Sequence, residues 1–295
     1  MFHCYAIYHG YQWVVIDIST NITLQKLCPH KNFLFQRHCV TAELMKEMTA
    51  EWILFIDADT TVINPNRLIE EWIDKNYNMI FYLRIRFFEI TAGVYLARNN
   101  PYSRNFLHFW ADYEHRLPNS VHNHDNGALH VGHLKCLIFS KKKFVWKSRY
   151  EDVSSYEACI QYLLGPKKSW PGKIKILGKP KGMTRDAPIT KSLWGRRDFL
   201  IHGWKKKLIG SAWLGKNPFY PHNFDINLCS TNNVMLNWPY KPQMFKTDKK
   251  IEKILNRTIK FVNRRYDRRV KILVLKALGV RDERKSLHTT HLLYV

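Results

Sequence analysis

No stretch of this sequence approaches the roughly eighteen consecutive apolar residues needed to cross a bilayer, and the first residues lack a basic start followed by an apolar core. As written, the chain carries neither a membrane span nor a targeting signal. No Cys-x-x-Cys pair occurs either. Six cysteines, Cys4, Cys28, Cys39, Cys136, Cys159 and Cys229, are widely spaced, which argues against thiolate zinc sites and dithiol redox motifs and leaves the compartment unread. There are no internal repeats and no low-complexity linker. Acidic residues are scarce: 24 Asp and Glu stand against 47 Lys and Arg, a formal charge of +23 that attracts polyanions over long range at low salt. From Phe245 to the end there are fifteen basic and five acidic residues, a pattern more often a solvated face than a binding element. No nucleic-acid motif accompanies the charge, so nucleic acid is not an expected partner.

What the chain does contain suffices for a folded domain. Its 295 residues are 45% hydrophobic, with ten Trp and fifteen Tyr suited to a large core or to stacking on a nucleobase or sugar. Met1 to Tyr8 reads as the end of a helix stopped by Gly10, and the β-branched run Trp13 to Ile18 reads as a buried strand. Gln36 to Met48 is helix-like. Trp52 to Ile56 is an apolar run of strand length, Arg67 to Asp74 restarts a helix, and Met79 to Leu83 and Gly93 to Ala97 read as further strands. Phe106, Phe109, Trp110 and Tyr113 recur at helical spacing and read as core. Beyond Lys141 turn-rich stretches predict loops and a second lobe. Lys249 to Val262 is a basic amphipathic helix, predicted to dock on the domain, with a membrane-surface or partner role as the alternative. Alternating helices and strands define an α/β protein.

The chemistry concentrates where Trp52 to Ile56 ends at Asp57-Ala58-Asp59. In open α/β sheets ligands bind beyond the carboxyl ends of strands. Two hard oxygen donors at such a turn can hold one Mn²⁺ or Mg²⁺ against a diphosphate. The same Ile-Asp-Ala-Asp-Thr-Thr also fits a haloacid-dehalogenase phosphatase, in which Asp57 would be the nucleophile and Asp59 the acid/base. That reading lacks the later acidic pair such enzymes use for Mg²⁺. His202-Gly203-Trp204-Lys205 follows the apolar run Phe199-Leu200-Ile201 and offers an imidazole for a metal, a glycine for close backbone approach and an ammonium for phosphate. Asp125-Asn126-Gly127 lies among His122, His124, His130 and His133. Their spacing is not that of a zinc site, and the carboxylate and amide suit sugar hydroxyls.

Taken in order, Trp-Ile-Leu-Phe-Ile-Asp-Ala-Asp, Glu89-Ile-Thr-Ala-Gly93-Val-Tyr-Leu-Ala-Arg98-Asn99, His124-Asp125-Asn126-Gly127-Ala128 and Phe199-Leu-Ile-His-Gly-Trp-Lys resemble the nematode family of unknown function numbered 273, itself related to the galactosyl/mannosyltransferases of the GT34 group. The resemblance covers roughly Cys4 to Lys246. It implies a Rossmann-like GT-A nucleotide-diphospho-sugar transferase fold over residues 1–246 and a basic helical extension over 247–295. It also implies a UDP- or GDP-sugar donor, Mn²⁺ or Mg²⁺, a glycan or glycoprotein acceptor, retention of configuration, and a Golgi or secretory location with which the sequons at Asn21 and Asn256 agree. On that basis Asp57, Asp59 and His202 would hold the metal, and Arg37, Gly93, Gly203 and Lys205 the donor. Asp125 and Asn126, the sugar-facing pair, would be catalytic. Thr91 stands near a position where GT34 relatives carry Asn. Such folds begin with a strand and loop that grip the nucleobase, and Met1 falls after them, so the sequence reads as lacking its first strand. An inactive fragment or a polyanion-binding protein is the non-enzymatic alternative, marked by steep salt dependence without a metal requirement.

Overall fold

The structure, a computed structural model, describes residues 1–116, 125–129, 150–203 and 217–277. The helices are α1 (Phe2–His9), α2 (Ile22–Leu27), α3 (Phe33–Glu47), α4 (Pro101–Ala111), α5 (Asp125–Leu129), α6 (Tyr150–Leu164) and α7 (Asp248–Ala277). The strands are β1 (Trp52–Ile56), β2 (Thr60–Val62), β3 (Met79–Tyr82), β4 (Val94–Arg98), β5 (Ser169–Trp170), β6 (Ile174–Leu177), β7 (Thr184–Asp186) and β8 (Leu200–His202). They form a mixed α/β protein with two sheets, as the alternating pattern of the sequence predicts. The larger sheet runs β1-β4-β3-β6-β5, parallel only between β3 and β6; the smaller runs β2-β8-β7, with β8 antiparallel to β2 and parallel to β7.

Local chemistry accounts for the element ends. Gly10 closes α1 at φ 70°, a left-handed conformation that glycine adopts without steric cost, and its N–H returns to the last turn. Asn21, Asn32 and Asn100 each accept a backbone N–H at the start of α2, α3 and α4, and Pro101 fills the first helical position of α4. β3 and β4 read as almost uninterrupted apolar runs because both faces are covered, and Met79, Ile80, Tyr95, Leu96 and Ala97 are fully buried. On one side lie Phe35, Met45, Leu107 and Trp110 of α3 and α4; on the other lie Val62, Phe199, Ile201 and Trp238.

Several expectations are corrected. Trp13 to Ile18 forms no strand: Val15 is 72% exposed, and Trp13 stacks on Phe2 at 5.6 Å. β-propensity describes a side chain that fits a pleated, half-buried surface, and here no strand edge pairs with the run. Arg67 to Asp74 is not an α-helix but a single 3₁₀ turn, Ile69–Trp72, whose Trp72 stacks on Phe199 at 5.2 Å. Phe109 is 46% exposed, because the buried face of α4 is occupied by Ser103, Leu107, Trp110 and Ala111. Among the described residues, those after Lys141 build no separate lobe. β6 joins the first half's sheet beside β3, and β7 and β8 complete a sheet begun by β2, so both halves share one core.

Cysteine spacing gave no pairing, but the fold does. Cys4 of α1 bonds Cys229 across 225 positions, Cys28 bonds Cys39 of α3, and none of the described cysteines is free. Closing the longer loop restrains the unfolded chain, an effect on the order of 3–5 kcal/mol. α7 docks through Ile251, Leu255 and Val262, all buried.

Candidate active site

The Asp-x-Asp turn is the joint between the two sheets. β1 ends at Ile56, the Asp57 N–H continues the ladder to the Gly93 carbonyl at 2.7 Å, and the Thr60 N–H closes a turn onto the Asp57 carbonyl at 3.0 Å. β2 then starts in the other sheet. Thr60 pairs with His202 in the register of β2 and β8, which sets the imidazole beside Asp59, with Nε2 3.1 Å from Oδ1. One carboxylate oxygen each of Asp57 and Asp59 and a ring nitrogen of His202 lie within 4.8 Å of one another, the only such group found among the described residues. Gly203 follows at φ 92°, a left-handed conformation suited to glycine, and its N–H donates to the Asp59 carbonyl at 3.0 Å. Gly93 is required for space: a Cβ there would stand 2.8 Å from Cγ of Asp57 and overlap its carboxylate.

Each of these groups is held from behind. Arg37 on α3 pairs with Asp57 and also with Asp125, to which its Nε donates at 3.1 Å. His38, the next residue, donates from Nε2 to Asp125 at 3.0 Å, and its Nδ1 lies 3.2 Å from the Tyr95 hydroxyl. Burial lowers His38 to about 4, so the ring is neutral and the Tyr95 hydroxyl is the donor to Nδ1. Burial pushes the Asp125 carboxyl up, but the His38 hydrogen bond and the Arg37 charge outweigh it and hold the group below its ordinary value. At Asp57 burial wins over Arg37 and the carboxyl is raised. Asn126 accepts the Ala92 N–H on Oδ1 at 2.6 Å, tying α5 to the chain just before β4.

Behind His202 lies Asp186. β7 runs parallel to β8 with Asp186 opposite His202, and the ring's Nδ1–H donates to Asp186 at 3.0 Å. Arg84, just after β3, pairs with both Asp186 and Glu89. Burial disfavours charge on His202, yet the hydrogen bonds to Asp186 and Asp59 raise it to about 9, so the imidazole is cationic at neutral pH. Asp186 itself lies well below the usual carboxylate range: burial opposes its charge, but Arg84 and His202 prevail. The groups surround a cavity of about 140 Å3 bordered by Arg37, Asp57, Arg84, Asp125, Asp186 and His202.

Residues 2–214 match the family described as "Protein of unknown function, DUF273". The chain belongs to the DUF273 family. It is the family that the sequence motifs resemble. No curated protein matches the chain. Among solved structures, one titled "crystal structure of a glycosyltransferase involved in the glycosylation of the major capsid of PBCV-1" is similar with a TM-score of 0.41 and 13% identity, over 69% of this chain and 83% of that chain.

In this DUF273 chain Asp57, Asp59 and His202 come together, with Gly93 and Gly203 beside them. Arg37, Asp125 and Asn126 border the same cavity. Lys205, Trp204, His122, His124, His130 and His133 lie outside the described residues. Sequence reasoning missed Arg84, Asp186 and His38. Arg84 could have been found by the rule that singled out Asp57, since it too follows the carboxyl end of an apolar strand. Asp186 stands in a three-residue strand with no apolar periodicity and gives no such signal.

Proposed function

We propose that the chain is a metal-dependent glycosyltransferase that moves a hexose from a UDP- or GDP-sugar to a glycan or glycoprotein acceptor. The observation that carries this is the convergence of Asp57, Asp59 and His202 beside the cavity. Two carboxylate oxygens and an imidazole nitrogen fit Mn²⁺, and Mg²⁺ less closely, because the nitrogen favours the softer ion. When bound, such an ion would supply Lewis-acid stabilisation of a diphosphate leaving group.

The chain's own residues prepare that chemistry. Arg37 fixes Asp57 from behind, Asp186 orients the His202 ring, and Gly93 leaves the room that Asp57 occupies. Arg84 brings positive charge to the cavity wall, and Lys205 is assigned to the diphosphate by the family resemblance. Asn126 has Oδ1 engaged, so its amide N–H groups remain for a sugar hydroxyl, with Asp125 holding the neighbouring frame. Every carboxylate bordering the cavity among the described residues is engaged: Asp57 with Arg37, Asp125 with Arg37 and His38, Asp186 with Arg84 and His202. An inverting transfer needs a carboxylate or similar base to take the acceptor's proton, so this arrangement supports retention. The disulfides among the described residues support an oxidising, secretory compartment.

Incubation with a panel of UDP- and GDP-hexoses tests the proposal. Release of nucleoside diphosphate should require Mn²⁺, stop with a chelator and be lost in Asp57→Asn. Hydrolysis of a simple phosphate monoester with no turnover of any nucleotide sugar would instead favour the phosphatase reading.

The His202 shift gives a pH dependence of definite sign. Its folded value of about 9 lies above the ordinary 6.5, so in the metal-free protein its contribution to stability is complete below about 6.5 and fades as pH rises through 9. Metal affinity moves the other way, because Nε2 must lose its proton to bind. Calorimetry in buffers of different ionisation enthalpy should show about one proton released per Mn²⁺ at neutral pH, falling to about half a proton near pH 9. His202→Asn should abolish the linkage.

A further inference from the structure

On an element that supplies none of the proposed metal ligands, the structure assigns a second surface. We propose that the outward face of α7 is a docking surface for an anionic lipid bilayer. Lys253, Arg257, Lys260, Arg264, Arg268 and Lys271 are all exposed and follow one another at intervals of three or four residues. At 100° per residue they fall in a band of about 80°, and at 1.5 Å per residue they form a straight line of about 27 Å. The band lies on the far side of the helix from Ile251, Leu255 and Val262, which anchor α7 to the domain. The line of charge is therefore held by a packed helix, not by a loose tail.

None of the six forms an ion pair with a described carboxylate. Of the three acidic residues of α7, Asp248 accepts the Arg197 backbone N–H, Glu252 pairs with the Arg197 guanidinium, and Asp267 sits at one margin of the band. Five successive like-charge contacts at i,i+3 or i,i+4 weaken a helix, so an extended anionic partner would turn a local penalty into attraction. Along the other margin stand Phe261, 57% exposed with the Arg265 guanidinium 6.0 Å from its ring, and Ile272, 37% exposed. A soluble polyanion has no use for these apolar groups. The headgroup layer of a bilayer accepts them while its acidic lipids meet the cations, and a straight, rigid line of charge matches a flat surface.

The test is sedimentation of the full chain with phosphatidylcholine vesicles, with and without about one third phosphatidylserine, in about 0.1 M salt. The protein should pellet only with the acidic vesicles, and less as salt rises. Lys253→Gln, Arg257→Gln, Lys260→Gln and Arg264→Gln together should weaken partitioning by several hundredfold, up to about a thousandfold. The same loss of charge at Lys26, Lys31, Lys75 and Lys173, which are exposed elsewhere, should weaken it less than about threefold. Phe261→Ser should lower vesicle binding and leave binding of soluble polyphosphate unchanged, an arm that stands even where the fourfold variant fails to fold. Equal losses in the two fourfold variants, no pelleting with acidic vesicles, or a neutral Phe261→Ser alongside strong polyphosphate binding would each overturn the proposal.

Discussion

Asp59→Asn should abolish measurable Mn²⁺ binding at concentrations that saturate the unaltered chain, while leaving the fold intact. The change is nearly isosteric and removes one hard, charged donor from a group of three. Removing an outer-shell partner of a metal ligand commonly weakens affinity 10–100-fold, so losing a ligand should cost more than about 100-fold. Stability should change little by comparison. His202 keeps its hydrogen bond to Asp186 at 3.0 Å, and Asp57 keeps Arg37. Titration calorimetry with Mn²⁺ and UDP, beside a thermal melt, separates the two effects. A variant that binds as before would remove Asp59 from the site, and one that fails to melt cooperatively would show that its role is structural.

Asp186→Ala should be the most destabilising single change near the site. Asp186 is 7% exposed and faces two cations, Arg84 and the His202 imidazolium. Truncation leaves Arg84 with Glu89 as its one carboxylate partner and His202 with Asp59, both half-buried on the cavity wall. Removing one partner of a buried ion pair costs about 3–5 kcal/mol. Asp186→Asn keeps the shape and an oxygen acceptor, so its cost should be nearer 1–3 kcal/mol. Urea denaturation of the two variants checks this. A cost below about 1 kcal/mol for the alanine variant would mean that Arg84 and His202 find other partners, and that Asp186 does not set the ring's orientation.

These two residues also mark the limit of what the sequence disclosed. Asp57 and Asp59 were legible because an uninterrupted apolar run ends at them, and His202 because another such run leads into His-Gly. Apolar packing on both faces leaves that imprint locally: in β1, Trp52, Leu54 and Ile56 lean on one core cluster and Ile53 and Phe55 on the other, all half-buried. Asp186 matters only because β7 lies parallel to β8, a pairing fixed by the whole fold and invisible in Thr184-Arg185-Asp186 itself. The converse failure is Trp13 to Ile18, where β-branched residues promised a strand and no edge received it. The disulfide from Cys4 to Cys229 was hidden for a similar reason, since spacing cannot identify partners 225 positions apart. α7, by contrast, was visible from its apolar face, and its docking through Ile251, Leu255 and Val262 follows the amphipathic pattern.

The central claim is that Asp57, Asp59 and His202 hold one divalent cation that meets a nucleoside diphosphate. Its most direct test is a crystal of the chain grown with Mn²⁺ and UDP or GDP, with diffraction recorded at the manganese absorption edge. The account predicts a single strong anomalous peak about 2.0–2.3 Å from a carboxylate oxygen of each aspartate and from Nε2 of His202, with diphosphate oxygens completing the shell. A saturated crystal whose peak lies elsewhere, or whose His202 ring stays hydrogen-bonded to Asp59 with nucleotide bound, would contradict it.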